Sequence, residues 1–349
     1  MKEEFFLSND KPVFIVAELS ANHNGSLEVA VETIKAAKRA GADAIKLQTY
    51  TADTMTLNLN TKDFIINNGS IWDGENYYSL YKRAHTPWSW HKKLFRVAKQ
   101  EGLICFSTPF DYSAVDFLED LDNPIYKIAS FEITDLPLIE YVAKKKKPII
   151  LSTGIATKKE IEEALETIRS TGNNEIAVLK CTSSYPAPVE EMNLLMIKEF
   201  QKTYDIIPGL SDHSLGITIP VAATILGAKI IEKHFILDKS IGGPDAPFSL
   251  DEMEFKQMVT AIRDAEKAVG SITYDLTEKQ QKGRLFSRSL FIVKNVKKGE
   301  KVSNDNTRSL RPEKGISPKY LPTILGKTFN SDFKKGTPLR FSMIKEASQ

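Results

Sequence analysis

His213 and His234 close two successive apolar runs, IIPGLSDH (206–213) and KIIEKHFIL (229–237). Two neutral imidazoles in one mouth, with a carboxylate nearby and water in the remaining positions, suit a borderline divalent ion such as manganese or cobalt. Glu18 in VFIVAEL and Asp245 in IGGPDAP are the carboxylates placed for this set. Either could bind the metal, bind its water or act as a base. A second group joins Lys46 and Lys127 to the hydroxyls of Thr108, Ser130, Ser152 and Ser211. Two ammonium groups among hydroxyls fit a phosphate or a carboxylate, since the cations supply charge and the hydroxyls directional donors. The rival use of such a lysine is a Schiff base, which needs a depressed pKa in an apolar pocket; the surrounding hydroxyls favour the anion clamp.

These residues share one position within their elements. Short β-branched runs alternate with amphipathic stretches along residues 13–270: VFIVAEL (13–19), AIKLQTY (44–50), LICFSTPF (103–110), IYKIAS (125–130), PIILST (148–153), EIAVLKCTS (175–183) and the two histidine runs. Stretches such as LEVAVETIKAAKRAG and TKKEIEEALETIRSTG carry apolar residues three and four apart and close on Gly. Eight such units within 1–270 predict a TIM (β/α)8 barrel, better than an open doubly wound sheet. Glu18, Lys46, Gln48, Thr108, Lys127, Ser130, Ser152, Ser183, Asp212, His213 and His234 all fall at or near the C-terminal end of a run. In that fold those ends converge on the face that carries chemistry. One strand-end Ser or Thr is ordinarily a satisfied structural group; eight strands doing the same is a site. The segment 51–88, with Phe64, Trp72, Tyr77, Tyr78, Tyr81 and Trp88, is long enough to be a substrate wall or a loop packed on the barrel flank.

Composition excludes other classes. The chain has 349 residues, 47 Lys and Arg, 45 Asp and Glu, and 42% apolar residues, which is globular and neither disordered nor membrane-spanning. Residues 1–9 begin acidic, without the pattern of a leader. Cys105 and Cys181 read as reduced core thiols of a cytoplasmic protein. Thirteen Lys and Arg against five Asp and Glu from residue 290 onward give +8, leaving −6 for 1–289. Dense cationic runs with interleaved aromatics are absent there, so the tail is expected to be a folded basic module (290–349) after a polar linker (271–289), with no nucleic-acid partner. KKKK at 144–147 ends a helix and reads as a solvated cap. IGGPDAP lacks the G-K-[ST] of a phosphate loop.

The strings AELSANHNG, AIKLQTY, STPF, YKIAS, LSTGIA, KCTSSYP, GLSDHS and IEKHF, followed by RSLRPEKGISP, resemble the sialic acid synthase family in order and over nearly the whole chain. FIINNGSIWDG, SLYKRAHTPWSWH and HFILDKSIGG resemble its pseudaminic acid branch. The resemblance implies a TIM barrel followed by an antifreeze-like SAF domain, and condensation of phosphoenolpyruvate with an open-chain amino sugar. It implies that His213 and His234 hold a divalent metal, manganese first, with magnesium or cobalt as alternatives. It also implies that Lys46, Thr108, Lys127, Ser130, Ser152 and Ser211 grip phosphoenolpyruvate. Ser183 stands where sialic acid synthases proper commonly have Asn. Glu18 and Asp245 fall near the reacting carbons, and Gln48 and Tyr185 line the sugar pocket. Arg311 matches an arginine that reaches the partner's active site, implying a domain-swapped homodimer. Alternatives are a legionaminic or N-acetylneuraminic acid synthase, a Schiff-base aldolase or lyase, and a non-catalytic sugar-binding barrel.

Overall fold

A computed structural model describes residues 10–345; the acidic start at 1–9 lies outside the described residues. The chain divides into two compact units, residues 1–270 and 271–349.

In the first unit eight parallel strands close into a barrel in sequence order. They are β1 (Phe14–Glu18), β2 (Ala44–Thr49), β3 (Ile104–Pro109), β4 (Tyr126–Ile128), β5 (Ile149–Ser152), β6 (Ile176–Cys181), β7 (Ile207–Asp212) and β8 (Ile230–His234). The ring closes where Glu18 of β1 pairs in register with Lys46 of β2 on one side and His234 of β8 on the other. The surrounding helices are set by local signals. Leu27–Ala40 starts at Ser26, whose hydroxyl accepts the Val29 N–H, and ends at Gly41, whose φ of 92° reverses the chain. Lys158–Ser170 and Glu252–Val269 both open with reciprocal capping boxes, Thr157 with Glu160 and Asp251 with Glu254. Among the described residues no helix is long and apolar enough to cross a membrane.

Because side chains alternate across a strand, every second residue points into the barrel. Its lower interior is filled by Phe14, Val16, Ala44, Phe106, Ile150, Ala177, Leu179 and Ile230. Two residues further along the same strands stand Glu18, Lys46, Thr108, Ser152, Cys181 and Glu232, all buried. An apolar plug therefore lies directly beneath a polar layer. Gly209 is forced by this packing, since a Cβ there would stand 2.4 Å from Leu179 Cδ2 and 2.8 Å from the Ile230 carbonyl oxygen. The outward-facing alternates, such as Ile15, Ala17, Ile45 and Leu47, pack against the helices.

Alternation also corrects one expectation. Asp212, grouped by sequence with the strand-end site residues, faces away from the interior and forms a fully buried ion pair with Lys233 at 2.6 Å. It is a lock between β7 and β8.

The second unit has its own core of Leu290, Ile292, Val296, Val302, Phe329 and Leu339. Its described strands form two antiparallel pairs, β9 (Ser289–Ile292) with β10 (Thr307–Leu310) and β11 (Thr328–Phe329) with β12 (Ile344–Lys345). Within the stretch 271–289, expected as a linker, Glu278–Gly283 winds as a short helix capped by Thr277.

Candidate active site

The polar layer of the barrel is organised around two buried lysines. Lys46 Nζ lies 2.5 Å from Glu18 and donates to Thr108 Oγ1 at 3.3 Å. Lys127 Nζ donates to Ser152 Oγ at 2.7 Å. Both ammonium groups face Glu232, at 3.8 Å from Lys46 and 3.7 Å from Lys127. Ser211 Oγ donates to Glu232 at 3.2 Å, and Gln48 Nε2 donates to Glu18 at 3.0 Å. Glu232 is one residue that sequence reading missed. Its signal was the period of two in KIIEKHF, which puts it on the inward face with His234 and Ile230.

The charges settle unequally. Burial pushes the Glu18 carboxyl up to about 7, against the lowering effect of Lys46. Burial also works against the Glu232 carboxylate, but Lys127 and Lys46 outweigh it and hold its pKa below the ordinary range. Burial lowers Lys127, and Lys46 is raised because Glu18 and Glu232 outweigh its desolvation. The layer thus contains two cations, one firmly ionised carboxylate and one carboxylate near neutrality. That surplus of positive charge, rimmed by hydroxyls, is built for an anion.

Beside it, the chain forms a second cluster of donors. Ser130, in a short turn after β4, accepts the Gly154 N–H at 3.0 Å. A Cβ at Gly154 would overlap Ser183 Oγ and come within 2.8 Å of Ser130 Oγ, so the backbone approaches the site only because residue 154 is glycine. Cys181, also inward-facing and also missed by sequence reading, places its sulfur 3.8 Å from Ser183 Oγ and from His213 Nδ1.

The two histidine rings lie 5.3 Å apart. His213 Nδ1 is 3.0 Å from the Thr182 carbonyl oxygen, which fixes that nitrogen as the N–H and makes Nε2 the atom that could meet a cation; burial works against its charged form, but Cys181 and that carbonyl outweigh it and raise its pKa. His234 Nδ1 is buried without a hydrogen-bond partner and stands 3.8 Å from Asp245. Burial, then His213, push the pKa of His234 well below its ordinary value, so it is neutral, the form that binds a cation. Among the described residues no three His, Cys, Asp or Glu converge as a closed ligand set. Two imidazoles with a nearby carboxylate fit an ion that keeps positions open for water and substrate.

Loop contacts hold Asp245 in place. Asn22, from the AELSANHNG string, donates to the Phe235 carbonyl at 3.0 Å and to Ser249 Oγ at 2.8 Å. Ser249 Oγ donates to the Asp245 carbonyl at 2.7 Å, and the Ala21 N–H donates to the Asp245 carboxylate at 3.2 Å. The loops after β1 and β8 are thereby stitched together.

Tyr185 covers the histidines, its ring centroid 4.3 Å from that of His213 and 5.2 Å from that of Phe248. The long segment 51–88 divides between both expected uses. Trp88 stacks on Phe117 of the flanking helix at 4.6 Å, whereas Trp72 packs on Tyr185 at 5.5 Å. Glu18, Lys46, Gln48, Thr108, Lys127, Ser130, Ser152, Ser183, Tyr185, Ser211, His213, His234 and Asp245 thus gather at one mouth. Arg311 belongs to the second unit, exposed just after β10.

Comparison with known proteins adds three findings. The family model described as NeuB family matches residues 33–274, and that of the SAF domain matches residues 287–345. The chain is 51% identical over 333 residues to a pseudaminic acid synthase of Campylobacter jejuni, covering 95% of this chain and 97% of that one. It is 48% identical over 330 residues to a pseudaminic acid synthase of Helicobacter pylori, covering 94% and 97%. Among solved structures, N-acetylneuraminic acid synthetase from Leptospira borgpetersenii, in complex with citrate, superposes with a TM-score of 0.70 and 32% identity, over 79% of this chain and 91% of that one.

The buried Glu18 carboxyl yields a pH test. Its pKa is raised in the fold, so its contribution to stability is fully present below about 4.5 and is lost as pH rises through about 7. In metal-free buffer the stability of the native chain relative to Glu18→Gln is expected to fall between those values, by on the order of 3 kcal/mol. Urea denaturation of both proteins at pH 5 and pH 7.5 measures it; a constant difference would show that Glu18 titrates normally.

Proposed function

The chain belongs to the NeuB family, and from that premise we propose that it is a pseudaminic acid synthase, condensing phosphoenolpyruvate with 2,4-diacetamido-2,4,6-trideoxy-altrose. The observation that carries this reading is the likeness to two pseudaminic acid synthases over 94% or more of the chain, joined to a buried two-lysine cradle beside paired histidines. A cytoplasmic role in making nonulosonic acids for surface glycans follows from the same reading.

The residues divide the work. Lys46 and Lys127 bind the anionic groups of phosphoenolpyruvate, while Thr108, Ser130, Ser152, Ser183 and Ser211 orient its oxygens. His213 and His234 would hold a divalent cation, manganese by resemblance, which when bound supplies a Lewis acid for the aldehyde oxygen of the sugar. Gln48 and Tyr185 hold the open-chain sugar so that its aldehyde carbon meets the enol methylene; a carbon–carbon bond forms between them as the aldehyde π pair moves onto its oxygen, which then takes a proton from water to become the hydroxyl. Water then adds to the middle carbon of the former enol, and phosphate leaves with its bridging oxygen as the carbon–oxygen bond breaks. Glu18, poised near neutrality, accepts the proton of that water, with Asp245 as the second carboxylate at the reacting carbons. The depressed pKa of Lys127 is the one feature in common with an imine-forming lysine, but its bond to Ser152 and its approach to Glu232 commit it to anion binding.

A domain-swapped homodimer is part of the proposal. Ile272, Tyr274 and Phe286 are exposed apolar side chains in the segment that opens the second unit, as expected of a surface that a second copy covers. In that dimer Arg311 adds a cation to the partner's site.

Two measurements check these roles. Phosphate release from phosphoenolpyruvate is expected with the altrose sugar, about 10²-fold slower with the mannose and legionaminic precursors, and abolished by a chelator until manganese is restored; no release with the altrose sugar refutes the assignment. Arg311→Ala and His213→Ala are each expected to be inactive alone. Reassembly of the two after mild dissociation should regain activity, because one swapped site is then fully native. A mixture as inactive as its parts would place Arg311 in its own chain's site.

A further inference from the structure

Trp72 is not used by the chemistry above, yet it is built into the site. Its ring packs on Tyr185 at 5.5 Å between centroids, and Tyr185 stands between it and the histidine pair. The residue is half-buried, but its Nε1 is covered and has no hydrogen-bond partner. An indole N–H is a donor only, and leaving a buried donor unpaired costs about 1–3 kcal/mol.

Its neighbours hold it there. The Asp73 carboxylate accepts the N–H groups of Asn68 at 3.1 Å, Gly69 at 3.0 Å and Ser70 at 3.1 Å, and the Ser70 hydroxyl at 3.2 Å. The Trp72 backbone N–H donates to Ser70 Oγ at 3.4 Å. The loop is pinned from both sides, with the Gly74 N–H on the Ile66 carbonyl and the Ile66 N–H on the Glu75 carbonyl, each at 2.8 Å. A turn tied this closely, holding one unsatisfied donor on a ring that packs against Tyr185, is a recognition element.

We propose that Trp72 is a specificity-determining residue whose indole N–H donates to the carbonyl of the 4-acetamido group of the sugar. The inference rests on the functional reading above and deepens it. The reacting aldehyde belongs beside His213 and His234, and Trp72 lies beyond Tyr185 from them, so the amide it meets is the one remote from the reacting end. A sugar with a 4-hydroxyl in place of the 4-acetamido group leaves the indole N–H unpaired, which is how a site built around a hydrogen bond rejects the analogue that lacks it.

The test uses the full-length, metal-loaded enzyme, Trp72→Phe, and Asp73→Asn, which loosens the turn. For Trp72→Phe the KM of the diacetamido sugar is expected to rise about tenfold to a hundredfold, the loss of one such bond. kcat and the KM of phosphoenolpyruvate should stay within about twofold, and kcat/KM for 2-acetamido-2-deoxymannose should be unchanged, so that preference for the diacetamido sugar falls by the same factor. Asp73→Asn should produce part of the same shift with kcat retained. The tryptophan fluorescence change on adding the diacetamido sugar should be present in the native enzyme and lost in Trp72→Phe. Unchanged preference in Trp72→Phe, or equal losses with both sugars, overturns the inference. If the native enzyme releases no phosphate with the diacetamido sugar, the functional reading falls instead, and the fluorescence titration alone decides whether Trp72 touches that sugar.

Discussion

Two buried ammonium groups, Lys46 and Lys127, face a single carboxylate inside the barrel, and the rest of the structure answers to that constraint. Like charges in a buried site repel strongly and each carries a desolvation cost. Glu232, approached by both, is the counter-ion that keeps them in one place. Glu18 completes the arrangement with a different balance: burial outweighs Lys46, its carboxyl sits near pH 7, and the layer is left with net positive charge. If both carboxylates were firmly ionised, the lysines would be neutralised and a trianionic substrate would have little to bind. With both protonated, the lysines would be unpaired and the site would be costly to fold.

The fold supplies this layer by the simplest periodicity available. Glu18 lies two positions after Val16, Lys46 two after Ala44, Thr108 two after Phe106, Ser152 two after Ile150, and Glu232 two after Ile230. Each of these strands thus carries its apolar plug residue and its chemical residue on one face, and parallel register sets Glu18 level with Lys46 and Ser211 level with Glu232. The dry plug below keeps the local dielectric low, which strengthens each charge–charge term in the layer above. The loops then add what strands alone cannot: Asn22 stitches two of them to seat Asp245, and Asp73 ties the turn that presents Trp72.

Most of this was legible in the sequence, because burial on both sheet faces leaves apolar runs that end abruptly in Lys, Ser, His and Glu. The barrel, the histidine pair and the two lysines are read directly from that pattern. Glu232 and Cys181 escaped because each lies one or two residues before a more conspicuous strand-end residue, and only the alternation of side chains shows them to be inward. Asp212 was misgrouped for the converse reason, since it adjoins His213 in sequence yet points the other way to Lys233. The role of Gly154 was hidden altogether: a missing side chain signals nothing until the hydroxyls of Ser130 and Ser183 are seen in the space a Cβ would fill.

The account stands on the two-lysine layer being a preformed anion cradle. Calorimetric titration of phosphoenolpyruvate into the native enzyme and into Lys127→Met, without sugar, tests it most directly. Loss of a charge-assisted hydrogen bond is expected to weaken binding at least about tenfold, with the variant still folded by circular dichroism. A Kd unchanged by the substitution in a folded protein would contradict the account.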